Sequence, residues 1–216
     1  MAEQQNILVI LGHPTAESLC AGMARAYAEG ARRAGAQVRF LDVGQLVFNP
    51  LFQGYGAAQP LEPDLRAAQA DITWAHHLVW VYPIWWGAMP ALLKGFIDRV
   101  LLPGYAFKYR KGSSLWDKLL AGRSAELLVT MDSPPWYFRW VTRMPGHHQM
   151  KKAILEFCGI RPVRVHSFGP VRSASTERLA QWVEKARQLG HRQGARATPG
   201  KPRPAHVTSS PSSPLP

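Results

Sequence analysis

Apolar residues in this chain gather in short, nearly unbroken runs, and the stretches between them carry helical spacing. Residues 6–11 (NILVIL), 77–82 (HLVWVY) and 125–130 (AELLVT) are such runs. Continuous apolar character over about six residues is the pattern of a strand buried on both faces. Residues 37–43 (QVRFLDV) and 161–168, where Val163, Val165 and His166 fall in an alternating stretch, predict two more strands. Helices are predicted over 18–34, 63–75, 90–102, 147–158 and 175–189. Gly35 and Gly159 stop two of them, Pro63 opens another at its first turn, and Leu92, Leu93, Phe96, Ile97 and Val100 line one face of a third. Pro83 ends the third strand, because proline cannot donate to a central ladder. Segments 44–62, 103–123 and 131–146 are predicted as irregular.

Strands that alternate with helices call for a parallel sheet covered on both faces. The fold expected is α/β and doubly wound, with five parallel strands in the flavodoxin-like order 2-1-3-4-5. One domain spans residues 1–191. From 192 to 216 six prolines join Gly, Ser and Thr, and a disordered tail is expected.

Composition adds three constraints. Hydrophobic residues make up 46% and charged residues 19% of the 216, as in ordinary globular proteins. No uncharged apolar stretch is long enough for a membrane span, and the polar start does not read as a signal peptide. The two cysteines, Cys20 and Cys158, give neither a disulfide framework nor a metal site, so a reducing cytoplasm is expected. The net charge of +12 favours anionic partners, and four basic residues, Arg192, Arg196, Lys201 and Arg203, sit in the tail without an acid. No nucleic-acid-binding signature accompanies that charge, so nucleic acid is not an expected partner.

In a doubly wound sheet, ligands lie beyond the carboxyl ends of the strands. Three loops reach that edge. The first, Gly12-His13-Pro14-Thr15-Ala16-Glu17-Ser18, precedes a helix N-terminus, where free amides favour an anion and His13, Thr15 and Ser18 add donors. It has neither a dinucleotide fingerprint nor a Walker motif, and Ser18 can equally be a plain helix cap. The second, Pro83-Ile84-Trp85-Trp86-Gly87, is apolar where a polar connection is usual. It suits a flat conjugated ring or a hydrophobic interface. The third begins Thr130-Met131-Asp132-Ser133.

The strings GHPTAESL, YPIWWGAMPALLKGFIDRVL and FCGI resemble the NAD(P)H:quinone oxidoreductase family of flavodoxin-like flavoproteins, over roughly residues 5–190. That resemblance implies FMN or FAD as cofactor, NAD(P)H as co-substrate, a quinone or similar flat acceptor, and a homodimer. It implies a ping-pong enzyme moving two electrons as hydride. By position, His13, Ser18, Leu19 and Cys20 would surround the flavin phosphate. Pro83, Ile84, Trp85, Trp86 and Gly87 would line the ring, and Thr130, Met131, Asp132 and Ser133 would approach its far rim. Cys20 stands where the family often has Asn, and 130–137 replaces a Thr-Gly-Gly element with a proline-stiffened loop. Asp132 either faces the ring or braces the loop. Relatives also include ancillary subunits of potassium-efflux antiporters, and a flavodoxin-type electron carrier is a third reading.

The stretch 136–143 (WYFRWVTR) interleaves aromatics with arginines. It can be a lid meeting NADPH phosphates, a membrane-surface segment, or packing over the sheet edge. Tyr137 and His147 are the candidates for donating a proton to the acceptor. No metal is expected.

Overall fold

A computed structural model describes residues 4–55 and 59–196. Most of the expected tail, residues 197–216, lies outside the described residues. Five parallel strands form one sheet: β1 (Asn6–Leu11), β2 (Gln37–Asp42), β3 (His77–Pro83), β6 (Ser124–Thr130) and β7 (Val163–Phe168). Their order is β2-β1-β3-β6-β7, which is the expected 2-1-3-4-5 once a separate hairpin is set aside. That hairpin, β4 (Phe107–Tyr109) with β5 (Trp116–Lys118), occupies part of the segment read as irregular. Its strands are too short to show a period in sequence.

Burial follows position in the sheet. Every residue of the central strand β3 is buried, whereas the edge strand β2 alternates. On one face, Val79, Val81 and Leu128 pack under α1 (Leu19–Arg33) and α6 (Thr176–Gly194). On the other, Leu78, Trp80, Leu127 and Val129 pack under α2 (Pro63–Trp74), α3 (Ala91–Val100) and the 145–155 segment. Each large apolar side chain so buried stabilises the fold by about 1.5–3 kcal/mol.

Helix ends follow the sequence signals. Ser18 caps α1 by accepting from the Ala21 amide at 3.1 Å. At the other end Gly35 adopts φ +93, its amide reaches the Arg32 carbonyl, and Ala36 reaches Ala31, a Schellman closure. α1 and α6 approach closely at glycine: a methyl on Gly190 would lie 2.0 Å from the Tyr27 carbonyl oxygen. The last helix runs to Gly194, beyond the expected boundary at 191.

Two expectations need correction. The 131–146 loop contains a helix, α4 (Pro135–Trp140), opened by a proline at its first turn. The helix expected at 147 starts earlier, as α5 (Pro145–His148), and runs on as a π-helical stretch, Gln149–Leu155. The long 44–62 connection is pinned by buried Arg99, which donates to the Asn49 and Pro60 carbonyls and pairs with Glu62 at 2.8 Å.

Candidate functional site

β1, β3 and β6 end side by side at Leu11, Pro83 and Thr130, so the three loops that follow emerge together. Short backbone bonds lock them in place. Gly12 donates to the Val81 carbonyl and Ile84 to the Thr130 carbonyl, each at 2.8 Å. Between the loops lies a cleft of about 200 Å³, lined by His13, Ser18, Leu19, Cys20, Pro83, Ile84, Trp85, Thr130, Met131, Asp132 and Val171.

The first loop supplies polar donors. Thr15 closes on His13 Nδ1 through its amide at 3.1 Å and its hydroxyl at 3.0 Å, which fixes the ring and leaves Nε2 free of those contacts. The His13 ring meets Trp85 edge-on, centroids 5.6 Å apart. Ser18 spends an acceptor lone pair on its cap, but its hydroxyl proton stays available. The amides of Leu19 and Cys20 belong to the first helical turn, which has no acceptor within the helix. Helix N-terminus and donors together make this end favourable for a negative group.

The second loop is a two-residue turn. Trp85 and Ala88 exchange both backbone hydrogen bonds, at 2.9 and 3.0 Å. Trp86 and Gly87 sit at the tip with φ +51 and +79, the left-handed pair of a type I′ turn. A bulky residue there is strained. Trp86 points fully into solvent and does not line the cleft, while Trp85, half exposed, does.

The third loop is braced from behind. Asp132 Oδ1 accepts from the Arg172 amide at 2.9 Å, and the Met131 carbonyl accepts from Val171. These bonds carry Val171 into the cleft. Sequence reasoning did not name it, although β7 ends at the same edge and its following segment was a legible source. The cleft floor joins Cys20 Sγ to Thr130 Oγ1 at 3.3 Å, and burial pushes the Cys20 thiol up to about 11.

The remaining candidates lie outside the cleft lining. Thr15 is exposed and orients His13, Gly87 forms the turn tip, and Ser133 is half-buried on the third loop. Tyr137 is exposed on α4. His147 is buried: Nε2 meets Ser167 Oγ at 2.9 Å and its ring packs edge-on against Phe138. Burial, then the neighbouring His148, lowers it to about 4. Among the described residues, no cluster of His, Cys, Asp or Glu is placed to hold a metal ion. Nor is any helix among them long and apolar enough to cross a membrane.

Residues 5–189 match the sequence profile of the flavodoxin-like fold family. A Haemophilus influenzae protein described as an uncharacterized NAD(P)H oxidoreductase is 28% identical over 85% of this chain and 93% of its own. A rat ribosyldihydronicotinamide dehydrogenase [quinone] is 29% identical over 73% of this chain and 74% of its own. Among solved structures, Smu.1420 from Streptococcus mutans superposes with TM-score 0.73 at 27% identity, covering 87% of this chain and all of that one.

Proposed function

Because the chain belongs to the flavodoxin-like fold family, we propose that it is a flavin-dependent NAD(P)H oxidoreductase acting on a quinone or similar flat acceptor. The observation that carries this reading is the convergence of the three loops into one cleft that is polar at its α1 end and aromatic at its β3 end. A ring with an anionic tail needs that combination. The names of the relatives in Haemophilus influenzae and rat support the reaction class.

The residues present fit a flavin by their chemistry. His13, Ser18 and the amides of Leu19 and Cys20 would hold the phosphate. Pro83, Ile84 and Trp85 would flank the ring, with Thr130, Met131 and Asp132 at its far rim. When bound, the flavin supplies two-electron acceptance from a reduced nicotinamide and return of those electrons to the acceptor. The chain positions the ring, excludes water with Ile84, Met131 and Val171, and supplies a proton. Tyr137 is the better of the two proton-donor candidates, because its side chain is exposed whereas His147 Nε2 is already engaged. Donor and acceptor would take the same face of the ring in turn, as the family resemblance implies. A homodimer, implied by the same family resemblance, would cover Val47, Leu51 and Tyr55, which are exposed on the loop that Arg99 pins.

Steady-state rates with NADPH or NADH against a water-soluble quinone test the reading. Parallel double-reciprocal lines are expected. Intersecting lines would refute the alternation, and no turnover by flavin-loaded protein would refute the activity.

A further inference from the structure

The β6 wall of the cleft carries a carboxylate to which the chemistry above gives no task. Asp132 follows β6, lines the cleft and is exposed. Other polar groups on this wall are already spent. The Thr130 hydroxyl meets Cys20 Sγ at 3.3 Å. Met131 turns both its backbone groups toward β7 and the segment after it: its amide donates to the Phe168 carbonyl at 2.9 Å, and its carbonyl accepts from the Val171 amide at 3.0 Å. Asp132 spends one oxygen, because Oδ1 accepts from the Arg172 amide at 2.9 Å. Among the described residues, Oδ2 accepts no hydrogen bond and no basic side chain forms an ion pair with this carboxylate. The amides of Asp132 and Ser133 likewise have no partner among them. The bonds at Met131, Val171 and Arg172 thus hold the carboxylate in the wall by one oxygen and leave the other to a ligand.

A carboxylate oxygen accepts hydrogen bonds and brings a negative charge. In an oxidised flavin ring the one N–H donor is N3–H, which lies between two carbonyl oxygens on the pyrimidine edge. Oδ2 complements that N–H, and the Asp132 and Ser133 amides complement the carbonyls. Reduction changes the balance. Hydride transfer from a reduced nicotinamide brings the ring two electrons and one proton. The ring then carries one negative charge, spread over the pyrimidine edge, until a second proton neutralises it. A fixed carboxylate beside that edge disfavours the anion, as a like charge does, and leaves the neutral oxidised ring in place.

On the flavin reading of the cleft, from which this follows, we propose that Asp132 Oδ2 accepts from the ring N3–H and makes the bound cofactor a stronger reductant. Its negative charge disfavours the anionic reduced ring. The consequence falls on the acceptor. A more reducing cofactor passes electrons to poorer oxidants than an unperturbed flavin can reduce, and its own reduction by NAD(P)H is less favourable.

The experiment is reductive titration of the flavin-loaded full chain against a reference dye, in wild type, Asp132→Asn and Asp132→Ser. Asparagine and serine each keep an acceptor for the Arg172 amide, and both variants keep the amides of the loop, so the comparison isolates the charge. Each variant is checked for native circular dichroism and for flavin uptake. Both are expected to favour reduced over oxidised flavin about tenfold more than wild type does, which is a midpoint higher by about 30 mV for a two-electron couple. Midpoints equal to or below that of wild type, in folded variants that hold flavin, overturn the role of Asp132 and leave the flavin reading standing. Wild-type protein that takes up neither FMN nor FAD overturns both.

Discussion

Cys20 Sγ and Thr130 Oγ1 meet at 3.3 Å on the floor of the cleft, and both side chains are buried. The contact joins the first turn of α1 to the last residue of β6, across the end of β3. Burial outweighs the Thr130 hydrogen bond and raises the thiol to about 11. The sulfur is therefore a protonated, unreactive group at neutral pH. Cys158, pushed up to about 12 by burial, behaves likewise. Native protein treated with iodoacetamide at mildly alkaline pH should gain no label, and unfolded protein should gain it at both cysteines. Native labelling of Cys20 at the unfolded rate would contradict this.

Stability should fall between neutral and mildly acid pH. Burial is the first cause that lowers His77 to about 4, and the same holds for His147. In the unfolded chain both titrate near 6.5. Below about 6.5 the unfolded state binds protons that the folded state refuses, so stability is full above that value and is lost as pH falls toward about 4. Each histidine contributes of the order of 3 kcal/mol at most over that window. Glu126, whose carboxyl is held low by His166, His77 and Tyr27 against its burial, adds its loss only below the ordinary carboxylate range. Urea midpoints at several pH values between neutral and pH 5 should decline, and the decline should be shallower in His147→Gln. An unchanged midpoint over that range refutes the assignment.

Two glycines in the helices should respond oppositely to alanine. At Gly190 the added methyl would lie 2.0 Å from the Tyr27 carbonyl oxygen, which is backbone and cannot give way. Gly190→Ala should cost about 3 kcal/mol or prevent folding. At Gly22, within α1, the nearest atom is Val183 Cγ2 at 3.9 Å. Gly22→Ala should leave stability unchanged or raise it by up to about 1 kcal/mol, because alanine loses less entropy in a helix. Chemical denaturation of both variants decides the matter, and equal effects would contradict the packing described.

Trp86 has φ +51 and no contact that rewards the strain in the free protein. Trp86→Gly should therefore raise thermal stability, by about 1 kcal/mol. A loss of stability instead would show that the exposed ring supports the turn.

The sheet and its order were legible because β1, β3 and β6 are central strands, and central strands must be apolar on both faces. The cleft was legible for the same reason. Strand ends fix where loops emerge, and His13, Ser18, Ile84, Trp85 and Thr130 follow directly from that. Trp86 did not follow, because a composition of aromatics does not reveal a left-handed turn that aims one tryptophan inward and its neighbour outward. The segment after β7 was legible as a fourth loop at this edge, but that Val171 is the residue it brings in was not, because its amide bonds the Met131 carbonyl and no side chain marks the contact. His147 looked like a proton donor because histidines often are, while its burial against Phe138 depends on α4, a helix of six residues set in a proline-rich loop.

The central claim is that the cleft holds a flavin. Its most direct measurement is the visible spectrum of purified protein, followed by release and mass identification of the chromophore and by titration of stripped protein with FMN and FAD. A flavin spectrum, a flavin mass, and binding weakened by Trp85→Ala are expected. A colourless protein that takes up neither FMN nor FAD would contradict the account.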